Sequence, residues 1–147
     1  MKPPRSSQYS FKHGELTERI IGIFYEVYNE LGHGFLESVY QEAMLLALRA
    51  AGLCAEKEVH IPVWFRGQAV GDFRADLLVE NKVILELKAV RVLEPLHEAQ
   101  LLHYLRATEV EVGLLLNFGQ TPVFKRLAFD NARKQIRVLP RELAAEL

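Results

Sequence analysis

The segment Phe73–Lys88, with the sequence FRADLLVENKVILELK, decides the fold that we expect for this chain. Its two apolar runs are joined by the short polar turn Glu80-Asn81-Lys82, which predicts a β-hairpin. The predicted strands nevertheless carry three charged residues, Asp76, Glu86 and Lys88, where core strands are normally apolar. These charges are the first indication of a functional site.

The register of this hairpin determines whether the two carboxylates meet. A three-residue loop pairs Val79 with Val83 and places Asp76 opposite Glu86, with Lys88 on the same face as Glu86. A two-residue loop shifts the register by one residue and separates the carboxylates. Directly opposed like charges destabilise a sheet by a few tenths to about 1 kcal/mol, and partial burial increases that cost. A divalent cation between the carboxylates would reverse its sign.

Length and composition are those of an ordinary globular protein. The chain has 147 residues, of which 50% are apolar and 25% are charged, so we expect one domain with a substantial core. The net charge is −1 at pH 7, which excludes a uniformly basic nucleic-acid-binding chain and requires any basic surface to be local. The single cysteine, Cys54, excludes an internal disulfide and any multi-cysteine zinc or iron–sulfur site.

The start of the chain differs from the rest. Residues 1–12 are polar and contain Pro3-Pro4 and three serines, which predicts a flexible N-terminal arm followed by a single domain over residues 13–147. No signal peptide pattern and no apolar run long enough to span a bilayer are present. We therefore expect a cytoplasmic protein with no membrane association.

Apolar periodicity predicts a mixture of helices and strands. A helical stripe runs from Leu16 to Leu31 and ends at Gly32. The stripe that we expect to face the core on a second helix, at about 35–51, consists of Leu36, Val39, Ala43, Leu46 and Ala50. The further predicted elements are strands at 58–65, 70–79 and 83–88, a helix at 94–107, and strands at 112–116, 123–129 and 135–139.

This order of elements predicts the layer architecture. Pro62 inside the first strand favours a position at the sheet edge, because proline lacks the N–H that a central strand needs. Three strands, a helical crossover and a further strand imply a mixed sheet with helices on both faces, an α/β fold.

Four short motifs in this order carry a family resemblance. They are Gly34-Phe35-Leu36-Glu37-Ser38-Val39-Tyr40, the strand acid Asp76, the triplet Glu86-Leu87-Lys88, and Gln100-Leu101-Leu102-His103-Tyr104. Together they resemble the PD-(D/E)XK nuclease superfamily, within it the GxxExxY protein family, and through the Q-x-x-x-Y helix the RecB-like branch. The resemblance spans roughly residues 16–119 and implies a restriction-endonuclease-like three-layer fold with a mixed central sheet flanked by helices. One departure is visible, because Ala75 stands where the family name has proline.

The resemblance also implies roles for individual residues. The oxygen ligands that it implies for Mg²⁺ or Mn²⁺ are Glu37, Asp76, Glu86 and the carbonyl of Leu87. Lys88 would orient the attacking water or stabilise the transition state. Gln100 would position that water or Lys88, and Tyr104 would support the site or touch substrate. His97 lies on the same helix face as Gln100 and is a supporting candidate only.

These roles predict a function. We expect a metal-dependent nuclease that hydrolyses phosphodiester bonds of nucleic acid, and DNA in particular, through a Glu/Asp/Glu-x-Lys site. The alternative is a catalytically silent nuclease-fold module that binds nucleic acid or a protein partner. Small nuclease domains often work in pairs, so a homodimer is also expected. A purely structural oligomer is a third possibility.

The same residues allow simpler interpretations. Asp76, Glu86 and Lys88 can form an internal salt-bridge cluster, and Gln100 and Tyr104 can be ordinary helix-surface residues. Trp64 and Phe65 beside Arg66 can stack on a base, although core or edge packing is the simpler expectation. The basic residues that can form either a phosphate-binding rim or ordinary exposed charge are Arg91, Arg106, Arg133, Lys134 and Arg137.

Overall fold

The computed structural model describes residues 11–134 of the chain. The helices of this part are α1 (Gly14–Leu31), α2 (Glu37–Ala50) and α3 (Pro95–Ala107), followed by a 3₁₀ turn at Asn131–Arg133. The strands are β1 (Ala55–Phe65), β2 (Gln68–Val79), β3 (Val83–Lys88), β4 (Val112–Phe118) and β5 (Pro122–Ala128). No helix within residues 11–134 is long and apolar enough to cross a membrane.

The five strands form one mixed sheet in the order β1-β2-β3-β4-β5. All neighbouring strands are antiparallel except β3 and β4, which run parallel because α3 carries the chain across the sheet between them. Helices α1 and α2 pack on one face and α3 packs on the other. This confirms the predicted α/β three-layer fold, and it explains why every residue of β4 is buried.

The register of the central hairpin is the one predicted for a three-residue loop. Val79 pairs with Val83, and the same register continued places Asp76 across from Glu86. Leu85 and its alternate neighbours on β3 pack under α1 and α2, while Glu86 and Lys88 line a cavity on the opposite face. The alternation predicted for these charges is therefore confirmed.

The predicted core stripe of α2 is wrong. The residues that the helix buries are Tyr40, Met44, Leu45 and Leu48. Leu36 and Leu46 from the predicted stripe are instead 76% and 75% exposed. The helix carries two apolar stripes, and the one with larger side chains removes more apolar area from water than a stripe that includes Ala43 and Ala50.

Most element bounds agree with the sequence predictions to within a few residues. β1 starts at Ala55 rather than at 58 and is an edge strand, as Pro62 indicated. The predicted strand at 135–139 lies outside the described residues. Residues 1–10 of the predicted arm also lie outside them. Lys12, the last residue of that arm, places its Nζ 3.0 Å from Oε2 of Glu111.

Candidate active site

The candidate site lies where β2 separates from β3. The two strands pair only over Leu77–Val79 and Val83–Leu85, although β2 starts at Gln68 and β3 continues to Lys88. The separation begins at Asp76 and Glu86 and frees backbone donors that a continued ladder would have used. The two carboxylates therefore lie at the opening of a split in the sheet.

Both carboxylates accept hydrogen bonds from these freed backbone groups. The N–H of Leu87 donates to Oδ2 of Asp76 at 2.8 Å, and the N–H of Asp76 makes a longer contact of 3.4 Å to Oε1 of Glu86. Asp76 of β2 thus satisfies a backbone donor of β3, and Glu86 of β3 satisfies a backbone donor of β2. These contacts hold the two side chains close together. The geometry replaces two ladder hydrogen bonds with two charged acceptors.

Burial disfavours the charged form of both acids. Burial raises the pKa of Asp76, although the N–H of Leu87 and the charge of Lys88 oppose that rise. Burial, followed by the negative charge of Asp76, raises the pKa of Glu86 to about 8. Lys88 lowers both pKa values but does not cancel the rise. The pair therefore carries more negative potential than its protein surroundings compensate, which favours a bound proton or a bound cation.

Glu37 approaches the pair from α2. It is the first residue of that helix, it is exposed, and its charge contributes to the raised pKa of Glu86. Glu37 is thus within electrostatic range of the strand acids. Its contact with a shared ligand remains a prediction.

The glycine and tyrosine of the Gly34–Tyr40 motif have a structural role that supports Glu37. The Tyr40 hydroxyl donates to the carbonyl of Gly32 at 2.6 Å and accepts from the N–H of Phe35 at 3.3 Å. The fully buried Tyr40 ring stacks on Phe118 at 4.2 Å between centroids. Gly34 has a φ of 110°, which side chains rarely adopt. This loop therefore fixes the position at which α2 begins.

A cavity brings four of the predicted site residues together. Glu86 and Lys88 of β3 face Gln100 and Tyr104 of α3 across it. The predicted neighbour His97 also lines the cavity, and its Nδ1 accepts from the N–H of Glu94 at the start of α3. Asp76 and Glu37 do not line this cavity. Asp76 adjoins it through its contacts with Leu87 and Glu86, and Glu37 acts on Glu86 through its charge.

The end of the E-x-K strand is held by contacts that the sequence did not reveal. The side-chain amide of Asn117 accepts from the N–H of Val90 at 3.0 Å and donates to its carbonyl at 2.8 Å. This double contact fixes the segment that directly follows Lys88. Asn117 lies one residue beyond the strand predicted at 112–116, but in the structure it is a buried residue of β4.

Three further residues around Asp76 were not predicted as part of the site. The amide of Gln41 donates to the carbonyl of Asp76 at 3.0 Å and so links α2 to β2. The charge of Arg74 lowers the pKa of Asp76, and the charge of Glu58 on the neighbouring strand β1 raises the pKa of Asp76. Only Gln41 had a signal, because it lies four residues after Glu37 and shares its side of the helix.

The other sequence candidates lie away from this cavity. Lys134 donates to the carbonyls of Thr108 and Val110 near the start of β4, at the opposite end of the sheet from Lys88. Arg106 and Arg133 both lie over the ring of Phe129. Arg91 is exposed and Arg137 lies outside the described residues, so the structure does not gather these cations into one rim.

The chemistry of the donors suits a hard divalent cation. The carboxylates of Asp76 and Glu86 and the backbone carbonyl of Leu87 are oxygen donors of the type that Mg²⁺ and Mn²⁺ prefer. Their excess negative charge is the observation that supports this fit. Among residues 11–134, however, no three His, Cys, Asp or Glu side chains are already grouped as a metal site. Two carboxylates would therefore hold the ion, with Glu37 as a third ligand only by prediction.

Comparisons with known proteins agree with the α/β fold. The family model described as the PD-(D/E)XK nuclease superfamily matches residues 14–127. The crystal structure of SSO0001 is similar to this chain with a TM-score of 0.50 and 17% sequence identity, covering 97% of this chain. This chain spans 64% of the length of that one. No curated protein matches the chain.

The pKa of Glu86 predicts how stability changes with pH. An acid with a raised folded-state pKa contributes stability that is complete below its unfolded value of 4.5 and is lost as the pH rises toward about 8. Glu86→Gln removes this loss, so its Tm should exceed that of the wild type increasingly between pH 5 and pH 8.5. A gap on the order of 4 °C at the upper pH, measured in EDTA by calorimetry, corresponds to about 1 kcal/mol for a chain of this length.

The matched control for this experiment is Glu30→Gln, which removes one negative charge from an exposed position near the end of α1. A Tm difference between Glu86→Gln and wild type that stays constant or shrinks as the pH rises would contradict the raised pKa.

Proposed function

Because the chain belongs to the PD-(D/E)XK nuclease superfamily, we propose that it is a metal-dependent nuclease that hydrolyses phosphodiester bonds of DNA. The observation that carries this proposal is the pair Asp76 and Glu86 at the split between β2 and β3, with Lys88 in the adjoining cavity. Opposed, partly buried carboxylates destabilise a sheet, and a cation bound between them would offset that cost.

The residues that would hold Mg²⁺ or Mn²⁺ are Asp76, Glu86, the carbonyl of Leu87 and, from the first turn of α2, Glu37. When bound, such an ion lowers the pKa of a water ligand and neutralises charge on the scissile phosphate. This assignment of ligands rests on the donor chemistry and on the superfamily motif.

The remaining site residues act on the substrate and on the attacking water. The ammonium of Lys88 points into the same cavity as Glu86 and can donate to a phosphate oxygen or to the water. The amide of Gln100 faces it and can hold that water in place. Tyr104 is fixed by stacking on Phe73 at 3.8 Å, which gives the cavity a rigid wall.

Two finer family assignments are part of the proposal. Gly34, Glu37 and Tyr40 match the GxxExxY protein family, and the hydrogen bonds of the Tyr40 hydroxyl give that motif a structural reason. Gln100 and Tyr104 match the RecB-like branch, supported by their place in the cavity with Glu86 and Lys88. We further infer a cytoplasmic location.

Cleavage of DNA in the presence of Mn²⁺ tests the proposed function. We expect the wild type to cut at least one of single-stranded, double-stranded and branched DNA, and Lys88→Ala to reduce the rate by about 100-fold or more, since it removes a charge that stabilises the transition state. Lys125→Ala, at an exposed position of β5, is the matched control and should cut at the wild-type rate.

The same assay decides on the second candidate function, a catalytically silent module that binds nucleic acid or a protein partner. The observation in its favour is that no group of three metal-ligating side chains is already assembled within residues 11–134. Wild-type protein that binds DNA without cutting any of the three substrates would favour the silent module. Cleavage that is equal in wild type and Lys88→Ala would contradict the proposed site.

We also propose that the protein is a homodimer that pairs through the outer stripe of α2. The stripe consists of Leu36, Val39, Ala43, Leu46 and Ala50. Its alternating spacing of three and four residues is that of a helix–helix seam, and Leu36 and Leu46 are 76% and 75% exposed. A second copy of α2 would cover both leucines.

Light scattering after size-exclusion chromatography tests this pairing. Leu46→Glu should shift the protein from dimer to monomer, because it places a charge in the seam. Leu96→Glu, at a 69% exposed position on α3, is the control and should leave the dimer intact. A wild type that is monomeric, or a Leu46→Glu variant that remains dimeric, would contradict the proposal.

A further inference from the structure

Strands β1 and β2 continue beyond the sheet as a two-stranded ribbon. They pair from Ala55 and Val79 to Phe65 and Gln68, whereas β2 pairs with β3 only from Leu77 to Val79. We call residues 59–75 the ribbon. At about 3.3 Å per residue, its tip lies roughly 30 Å from Asp76.

The base of the ribbon is part of the candidate active site. Phe73 lines the cavity together with Glu86 and Lys88, and its ring stacks on Tyr104 with an angle of 15° between the planes. Strand β2 therefore connects the cavity to the tip of the ribbon. A nucleic acid that is held at Lys88 and extends from the cavity toward the tip would lie along the ribbon.

The tip presents an aromatic ring and a cation to solvent. Phe65 is 53% exposed, and the guanidinium of Arg66 lies 4.9 Å from the centre of its ring. The neighbouring Trp64, by contrast, is buried. An exposed aromatic face beside an arginine is the combination with which proteins stack unpaired bases and bind the adjoining phosphates.

The backbone at the tip is unfavourable for the residue that occupies it. Arg66 and Gly67 have φ values of 50° and 77°, the signs of a type I′ hairpin turn. Asparagine or glycine is preferred at the first of these positions, because the left-handed region is costly for a long side chain. The turn therefore does not itself account for an arginine at this position.

The charges along the ribbon suit a polyanion. The acid Asp72 is paired with His60 across the strands, whereas Arg74 forms no salt bridge within the part of the chain that the structure describes. Arg66 and Arg74 thus give the ribbon a local positive surface on a chain whose net charge is −1.

We propose that the ribbon binds single-stranded DNA, with Phe65 stacking on an unpaired base and Arg66 binding the adjoining phosphate. This inference rests on the proposed nuclease function, whose site lies at the base of the ribbon, and it names the strandedness of the substrate. Single-stranded DNA is favoured over a duplex because the stacking face of a base is available only where the base is unpaired at that point.

Fluorescence anisotropy with a labelled oligothymidylate, in EDTA so that no cleavage occurs, tests the proposal. Phe65→Ala should weaken binding about tenfold, as expected for loss of one base-stacking contact. Arg66→Asn should also weaken binding while leaving the Tm unchanged or raised, because asparagine suits this turn position. Phe124→Ala, which removes a 38% exposed ring from β5 at the other side of the sheet, is the matched control and should bind as the wild type does.

Other results would overturn the proposal. The proposal is wrong if the wild-type protein does not bind the oligothymidylate. It is also wrong if Phe65→Ala and Arg66→Asn bind it with wild-type affinity. If Phe65→Ala lost as much affinity for blunt duplex DNA as for the single strand, stacking on an unpaired base would also be excluded.

The binding assay and the cleavage assay fail independently. If the wild type cuts DNA in Mn²⁺ but Phe65→Ala binds normally, the ribbon proposal is wrong and the nuclease function stands. If binding depends on Phe65 but the wild type cuts no DNA, the ribbon proposal stands and the nuclease function is wrong.

Discussion

Two acidic side chains opposed across a splitting pair of strands are the constraint on which this structure depends. Asp76 and Glu86 occupy the first position at which β2 and β3 no longer pair, and each accepts a hydrogen bond from a backbone N–H that the split leaves free. The protein thereby satisfies its backbone but buries two acids side by side, and burial, followed by the charge of Asp76, raises the pKa of Glu86 to about 8. A site of this kind is stable as a proton-sharing pair or as a cation site, and the second state is the one with catalytic value.

The rest of the fold holds this pair in place from both faces of the sheet. On one face, the buried Tyr40 fixes the loop before α2, and Gln41 ties α2 to the carbonyl of Asp76. On the other face, α3 places Gln100 and Tyr104 over Glu86 and Lys88. Packing and hydrogen bonds made elsewhere thus offset the free-energy cost of the opposed charges, as is common at functional sites.

Part of this arrangement could be predicted from the sequence and part could not. The shared face of Glu86 and Lys88 followed from the alternation of side chains along a strand, whereas the sequence left the loop length, and with it the register of the hairpin, open. The core face of α2 did not follow, because Leu36 and Leu46 compete with Tyr40 and Met44 as apolar stripes and only the tertiary packing decides between them. The strand split itself has no sequence signature, since it depends on where β2 leaves β3 in three dimensions. For the same reason Arg74 and Asn117, whose contacts join distant parts of the chain or depend on that split, were not anticipated.

The binding of Mn²⁺ to purified protein, measured by isothermal titration calorimetry, tests the central claim most directly. The account predicts that wild type and Asp72→Asn bind the ion with the same affinity, because Asp72 lies on the same strand but pairs with His60 away from the split. It predicts that Asp76→Asn binds at least about tenfold more weakly, because one of two carboxylate ligands is lost. Equal binding of Mn²⁺ by the wild type and by Asp76→Asn would contradict it.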